Sequence, residues 1–234
     1  MAEAPQLTLG LGLPPSLGRE DFVIGEGNRE AFAAVEAWPD WSSDLLLVCG
    51  PEGAGKSHLA AIWSEASGGR ILHASELGAL DWSRLAATGP IAVEDIDRAP
   101  DAEQSLFHLI NDIRAAGGSM LMTARRADPG RWCVLPDLLS RLRSARPVAL
   151  AAPDEPLLRM VLVKLFADRQ IKPDATVLEF LSRRMERSFA AASEIVDRID
   201  RLSLATGRSP TRPLAAEALA GLAGFDQAVP GEAK

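Results

Sequence analysis

The stretch GPEGAGKS, residues 50–57, decides how this chain is expected to fold. It follows the apolar run LLLVC (45–49) and leads into SHLAAIWSEAS (57–67), which has the periodicity of a helix. The stretch matches the pattern G-x-x-x-x-G-K-[ST] without deviation. A glycine-rich turn between a buried strand and a helix, ending in a lysine and a hydroxyl residue, indicates a loop that wraps around phosphate groups.

Each residue type in this loop has a chemical reason to be there. The glycines let the backbone curl so that its N–H groups point at phosphate oxygens, and the lysine supplies a cation for the outer phosphates. The serine offers a hydroxyl to Mg²⁺. The alternative is an ordinary glycine-rich turn between a strand and a helix. The residues expected to bind a nucleotide, ADP or ATP, are Gly50, Gly53, Ala54, Gly55, Lys56 and Ser57.

A second acidic motif supports the same chemistry. The stretch PIAVEDID, residues 90–97, is a short apolar run in which Glu94 and Asp95 follow three apolar residues. In a parallel sheet the carboxyl end of this strand would lie next to the phosphate loop. One acid is expected to hold Mg²⁺ together with Ser57, and Asp95 is also a candidate to polarise an attacking water. The alternative is a capping or surface carboxylate.

Strand and helix patterns alternate through the first two thirds of the sequence, which predicts an α/β fold with a parallel sheet of five strands. Asp101 and Gln104 have the spacing of a capping box and predict the start of a helix over 102–116. The predicted strands are 44–50, 69–75, 90–97, 119–124 and 147–152, and the other predicted helices are 28–38 and 57–67.

The pattern changes after Pro153, where only helical periodicity remains. The sequence therefore predicts an α/β nucleotide-binding domain followed by a small all-α domain. The expected division is a flexible tail over 1–20, the α/β domain over 21–153, the all-α domain over 154–225 and a second tail over 226–234.

Composition excludes several classes of protein. The net charge of −7 argues against strong direct nucleic-acid binding by a broad basic face. Two cysteines, Cys49 and Cys133, are too few for a disulfide framework or a zinc site. The sequence starts without the basic and apolar regions of a signal peptide, and no run is long enough to cross a membrane. We therefore expect a cytoplasmic protein without a membrane partner.

Several motifs occur in the order known from one family. The stretches DFVIGEGNREAFAAV (21–35), GKSHL (56–60) and LPDLLSRLRS (135–144), with the acidic strand end between the last two, resemble the AAA+ core of the bacterial replication initiator DnaA. The resemblance covers about residues 20–205. The DNA-binding helix-turn-helix domain of the initiator would follow, where this sequence has only a short tail. Within the DnaA-related family the chain resembles the Hda-type regulators that inactivate the initiator.

The resemblance implies an AAA+ core with a helical lid, and it implies roles for further residues. Val23 and Ile24 match the segment that packs on the adenine base, although core packing is an equally simple explanation of both. His58 belongs to the family motif that follows the phosphate loop. Arg141 matches the arginine finger, which reaches a nucleotide in a neighbouring subunit. A guanidinium suits this role because it is planar, permanently charged and able to form paired hydrogen bonds to phosphate oxygens.

Three positions depart from the family pattern. Glu94 stands where the initiator usually has Asp. Arg125 occupies the place of an acidic first sensor, with Thr123 the small polar group nearby. Ala190 aligns with the arginine of the second sensor, and Arg187 lies one turn earlier. These departures are expected to affect the chain's own ATP hydrolysis more than its nucleotide binding.

The N-terminal stretch QLTLGL, residues 6–11, resembles the short peptides by which replication proteins bind the sliding clamp. An extended segment can place alternate side chains in apolar pockets while its backbone hydrogen-bonds to the partner. The alternatives are a tail that packs back on the domain or an edge strand. The expected clamp contacts are Gln6, Leu7, Leu9 and Leu11.

Taken together, these motifs predict a regulator that binds ADP or ATP, contacts the DnaA initiator and the sliding clamp, and stimulates hydrolysis in the initiator. A self-sufficient AAA+ ATPase that loads or remodels a partner on DNA is the alternative. A phosphate-transferring kinase is disfavoured because the C-terminal region is purely helical. The oligomeric state stays open, with a homo-oligomer among the candidates.

Overall fold

Parallel strand pairing organises the N-terminal part of the chain. The computed structural model describes residues 17–79, 82–86 and 89–223. Its sheet has five strands in the order β2-β3-β4-β1-β5, and every pair is parallel. The strands are β1 (Leu45–Cys49), β2 (Arg70–His73), β3 (Ile91–Glu94), β4 (Met120–Ala124) and β5 (Arg146–Ala149). The predicted five-stranded α/β fold is confirmed.

All five residues of β1 are buried, because the strand has neighbours on both edges and helices on both faces. Leu45 and Leu47 face a core built with α4 and α5, whereas Leu46 and Val48 face a core built with α1 and α2. This is why the sequence of β1 is continuously apolar. The helices of this part are α1 (Arg29–Glu36), α2 (Lys56–Ser67), α3 (Trp82–Ala86), α4 (Glu103–Ala115) and α5 (Pro136–Ser144).

The C-terminal part of the described chain is helical, as predicted, and has its own apolar core, in which Leu158, Phe166 and Ile195 are fully buried. Side-chain caps begin three of its helices: Asp154 accepts from Leu157 N, Asp174 from Thr176 N and Ser188 from Ala191 N. The helices are α6 (Glu155–Asp168), α7 (Ala175–Arg184), α8 (Phe189–Thr206) and α9 (Arg212–Ala223).

The predicted capping box at Asp101 is wrong. Residues Pro100–Ala102 form a 3-10 turn, and α4 begins only at Glu103, behind Ala102, whose side chain has no oxygen to cap the helix. The proline at the first position of this turn explains the difference, since its fixed φ suits the start of a turn, and this turn occupies the three residues before the helix. The predicted strand 90–97 is also too long, because the chain leaves the sheet after Glu94.

None of the helices in the described ranges is both long and apolar enough to cross a membrane.

Phe166 tests the packing of the helical part. Phe166→Ala should lower the free energy of unfolding by about 3–5 kcal/mol, because it removes a fully buried ring from α6 and leaves a cavity. Leu204→Ala on the exposed side of α8 is the matched control and should change it by about 0.5 kcal/mol or less. Denaturant titration followed by circular dichroism measures both. Equal losses in the two variants would contradict this description of the core.

Candidate functional site

The phosphate loop, Gly50–Ser57, joins the carboxyl end of β1 to the amino end of α2. Gly53 and Gly55 have φ angles of +70° and +96°, a region that side chains disfavour. Gly50 is needed for close packing, since a Cβ there would lie 2.6 Å from the carbonyl oxygen of Leu150. The predicted loop is therefore present as a tight turn at the start of a twelve-residue helix.

Lys56 lies inside this loop. Its ammonium donates to the carbonyl oxygens of Gly50 and Pro51, both at 2.9 Å, and the residue is only 8% exposed. Burial lowers the pKa of Lys56, and the positive charge of Arg125 adds to this effect, whereas Asp95 is the largest opposing influence. The ammonium thus rests on loop carbonyls in an environment that disfavours its charge.

The two acids of the predicted metal site lie at the end of β3. Glu94 is 7% exposed, and its Oε1 has no hydrogen-bond partner among the described residues. Alternation along β3 places Glu94 on the same side of the sheet as Ala92, which packs in the core shared with α2. A buried carboxylate oxygen without a partner is rare in folded proteins, and it fits a ligand for a cation.

Asp95 has a left-handed backbone, with φ 56° and ψ 44°. Asp tolerates this conformation better than most residues, and such angles cluster at functional sites. Its N–H donates to the hydroxyl oxygen of Thr123 on β4 at 3.0 Å. Thr123 therefore holds the backbone of Asp95 and connects the ends of two neighbouring strands.

A third acid, Asp97, fixes the segment that follows β4. Its Oδ2 accepts from the backbone N–H of Arg125 at 3.0 Å and of Arg126 at 3.3 Å. The guanidinium of Arg125 then pairs with Glu52 of the phosphate loop. The sequence motifs did not predict this ion pair, because Glu52 occupies an unspecified position of the loop pattern.

The predicted base-binding segment lies before α1. Val23 is half-buried and Ile24 is 41% exposed, so Ile24 offers free apolar surface. Asn28 holds the segment: its Oδ1 accepts from Gly25 N at 2.7 Å and its Nδ2 donates to Val23 O at 3.0 Å. The role of Asn28 was not predicted. Its side chain is buried at the amino end of α1, which only the tertiary structure reveals.

His58, the residue after Ser57, connects α2 to the chain ahead of this segment. Its Nε2 lies 2.8 Å from the carbonyl oxygen of Gly18, and its ring meets the ring of Phe22 edge-on at 5.1 Å. Ser57 itself is exposed at the first turn of α2. His58 thus lies directly after the loop and holds the segment that contains Gly18 and Phe22 against α2.

The helical part contacts the phosphate loop directly. The N–H of Phe189, the first residue of α8, donates to the carbonyl oxygen of Gly53 at 2.9 Å. A Cβ on Gly53 would lie 2.5 Å from the Cβ of Ser188, and one on Gly55 would lie 3.3 Å from the Phe189 ring. The amino end of α8 therefore sits against the loop.

The amino end of α8 carries no cation in its first turn, because this turn consists of Phe189 and three alanines, among them Ala190. Arg187 lies before the capping residue and is exposed. This end of α8 lies next to the loop, and the role of the aligned position stays a prediction.

Arg141 lies near the end of α5 and is half-buried. It makes no hydrogen bond or ion pair with the described residues of the loop. Buried Glu103 holds the start of α5, since its carboxylate accepts from Val134 N at 2.9 Å and from Leu135 N at 2.7 Å. Sequence motifs did not predict this role of Glu103, because an acidic residue in the first turn of a helix is common.

The remaining predicted contacts are outside the part that the structure describes. Gln6, Leu7, Leu9 and Leu11 fall in residues 1–16. Among the described residues, no group of three or more His, Cys, Asp or Glu side chains could hold a metal ion by itself. A Mg²⁺ ion that takes most of its ligands from phosphates, water and one hydroxyl does not require such a group.

Comparisons with known proteins relate the chain to replication initiators. No protein-family model matches it. It is 27% identical over 237 residues to the chromosomal replication initiator protein DnaA of Thermomicrobium roseum, an alignment that covers 89% of this chain. The chain spans about half the length of that relative, 50%.

Solved structures with the same fold include domain III of the Thermotoga maritima initiator DnaA, with a TM-score of 0.78 and 19% identity over 89% of this chain and 98% of the other. AMPPCP-bound DnaA from Aquifex aeolicus has a TM-score of 0.70, with 16% identity over 92% and 71%.

The Thermotoga maritima RuvB Holliday junction branch migration motor has a TM-score of 0.68, with 15% identity over 88% and 72%. The chain therefore has the AAA+ fold of DnaA domain III, and it is related in sequence to a bacterial replication initiator.

Proposed function

We propose that this chain is a cytoplasmic AAA+ regulator of replication initiation of the Hda type, which binds ADP or ATP and acts on the DnaA initiator. The observation that carries the proposal is the phosphate loop with Lys56 buried inside it. The ammonium rests on two loop carbonyls, and burial lowers its pKa. A bound polyphosphate would place further negative charge beside the buried ammonium and offset the cost of its burial.

Different residues are proposed to bind the adenine base and the metal ion. Val23 and exposed Ile24, held by Asn28, provide apolar contacts for an adenine ring. For Mg²⁺ the Ser57 hydroxyl and the Glu94 carboxylate are the proposed ligands, with Asp95 completing the set. The unpartnered buried oxygen of Glu94 supports this assignment. When bound, the ion would neutralise charge on the phosphates.

Hydrolysis by the chain alone is proposed to be weak. Asp95 has the chemistry of a residue that polarises water, and Thr123 holds its backbone. The first turn of α8, however, carries Ala190 where the family places a cation, and Arg125 replaces an acid at the end of β4. A site that binds nucleotide firmly but lacks the usual charges suits a regulator better than a motor.

The action on a partner is assigned to Arg141. None of the described acidic side chains forms an ion pair with it, so its guanidinium is available to a second molecule. Glu103 holds the chain just before α5 and thereby orients the helix that presents Arg141. We propose that Arg141 reaches the ATP of the initiator and completes the site in which that ATP is hydrolysed.

Recruitment is assigned to the N-terminal peptide, Gln6–Leu11. Its alternating leucines and its leading glutamine suit an extended peptide bound to apolar pockets of the sliding clamp. The affinity is expected to be modest, because the peptide becomes ordered when it binds. Two weak contacts, one to the clamp and one to the initiator, would together confine the regulator to sites where both partners are present.

Lys56→Ala tests nucleotide binding. The substitution should weaken ADP and ATP binding by about 2–5 kcal/mol, because it removes a buried charge directed at phosphate. Lys172→Ala, which removes an exposed lysine from the helical part, should leave binding unchanged. Titration with a fluorescent nucleotide measures both. Equal affinity in Lys56→Ala and the parent would remove the nucleotide-binding interpretation of the loop.

Arg141→Ala tests the action on the initiator. It should leave the fold and nucleotide binding intact but reduce stimulated hydrolysis by about 10³- to 10⁵-fold, the range seen for arginine fingers. Arg143→Ala, on the same helix, should retain stimulation. The assay combines the protein with initiator and clamp-loaded DNA and measures ATP hydrolysis. Normal stimulation by Arg141→Ala would contradict the assignment.

The same assay separates the alternative function. A self-sufficient ATPase would hydrolyse ATP steadily without initiator, and DNA alone would change its rate. A regulator should show little hydrolysis until the initiator is added.

Gln6→Ala combined with Leu9→Ala tests recruitment. The double variant should lose capture on immobilised clamp and lose stimulation of the initiator, while nucleotide binding stays normal. Glu3→Ala with Leu13→Ala removes one polar residue and one leucine outside the motif and is the matched control. Retained clamp binding in the first variant would show that the leucine stretch has another purpose.

A further inference from the structure

Two arginines from separate helices lie over one aromatic ring in the helical part. The guanidinium carbon of Arg184, in the last turn of α7, is 4.8 Å from the centre of the Phe180 ring. The guanidinium carbon of Arg212, the first residue of α9, is 5.3 Å from the same centre. Both arginines are exposed, and Phe180 is half-buried. These two residues, called the arginine pair below, therefore place two cations side by side on the surface.

The arginine pair has no counter-charge among the described residues, since neither guanidinium forms an ion pair with a described carboxylate. The carboxylates on the same two helices are engaged elsewhere. Glu179, the one acid of α7, pairs with Arg183 at 2.9 Å, and Glu217, the one acid of α9, pairs with Arg208 at 3.0 Å. The arginine pair thus presents two positive charges to a ligand from outside the described chain.

Helix stability explains only one of the two positions. A cation in the last turn of a helix, such as Arg184, interacts favourably with the helix dipole. Arg212 stands at the amino end of α9, where the same dipole disfavours a cation. Stacking on one ring also brings two like charges together, and these repel each other. An anion bound to both guanidiniums would remove this repulsion, and the amino end of α9 would attract the same anion.

A phosphate group suits the arginine pair. A guanidinium donates paired hydrogen bonds to phosphate oxygens while its plane stacks on an aromatic ring. Because the two guanidiniums already lie over the Phe180 ring, a nucleic-acid base would have to displace them before it stacked there. The contact is therefore suited to recognise phosphate charge and not base sequence.

The distribution of charge along the chain favours the backbone of DNA as the source of this phosphate. The helical part, residues 154–223, has 11 Lys and Arg and 10 Asp and Glu, so the excess negative charge of the chain lies outside it. Two neighbouring guanidiniums suit a strand that carries a row of closely spaced phosphates. Clamp-loaded DNA is also the place where the regulator proposed above would act.

We infer that Arg184 and Arg212 bind the phosphate backbone of duplex DNA in a weak contact that does not depend on base sequence. This contact goes beyond the proposed function, which assigns no DNA-binding surface to the chain. Two phosphate contacts are too few to hold DNA firmly, which agrees with the net charge of −7. Added to the contacts with clamp and initiator, they would favour the regulator on DNA that carries both partners.

Fluorescence anisotropy with a labelled DNA duplex tests the contact in the full chain, without clamp or initiator, in a salt series that starts at low ionic strength. Arg184→Ala combined with Arg212→Ala should weaken binding and reduce the slope of log K against log salt by about 1.8, since each lost phosphate contact removes about 0.9. Lys172→Ala combined with Arg70→Ala removes the same charge from two exposed positions elsewhere and should leave the slope nearly unchanged.

Further variants separate charge from packing. Arg184→Lys combined with Arg212→Lys keeps both charges and should retain most of the salt slope, and thermal unfolding followed by circular dichroism shows whether each variant stays folded. Duplex binding should be equal with and without ADP, because the arginine pair is not part of the phosphate loop.

Two results would overturn the inference. One is absence of duplex binding by the parent at low salt, or a slope in the alanine variant equal to that of the parent. The other is equal duplex binding by the two proteins together with lost stimulation of the initiator, which would assign the arginine pair to a carboxylate of a protein partner. A parent that binds the duplex but no nucleotide would contradict the proposed function and support the DNA contact.

Discussion

Parallel pairing of β1 with β4 on one edge and β5 on the other is the constraint on which the site depends. β1 is buried on both faces and both edges, so its carboxyl end has one position relative to the sheet. Everything that follows a strand at this end of the sheet is then brought together: the phosphate loop after β1, the acids after β3, and Arg125 after β4.

Close packing couples the helical part to this edge. Gly53 has no room for a side chain because Ser188 lies against it, and its carbonyl accepts from the first N–H of α8. Movement of α8 would therefore displace the loop that we propose binds phosphate. A nucleotide bound to the loop as we propose would therefore have a direct route to the helical part through one backbone hydrogen bond and one glycine.

Charge at the site is balanced among residues from four segments. The ammonium of Lys56 donates to loop carbonyls, and the guanidinium of Arg125 pairs with Glu52. Asp97 accepts from the backbone of the segment after β4, and one oxygen of Glu94 has no described partner. The site thus contains two cations in contact with protein oxygens and a buried carboxylate of which one oxygen has no partner among the described residues. This arrangement agrees with the polyphosphate and the metal ion that we propose for the site.

The local sequence pattern was enough to predict the five strands, most helices and the loop. A continuous apolar run such as 45–49 indicates a strand buried on both faces, and the glycine spacing of 50–57 indicates the loop. The prediction from local pattern was wrong at Asp101, where the structure has a 3-10 turn that begins with a proline and not a capping box. The assignments of Val23, Ile24, Arg141 and the N-terminal peptide rest on resemblance and stay predictions. The sequence by itself determined the fold class and the place of the phosphate loop. Only the tertiary structure decided that Asn28, Asp97, Glu103 and the Glu52–Arg125 pair support the site, because each acts on residues made adjacent by the packing of the sheet and helices.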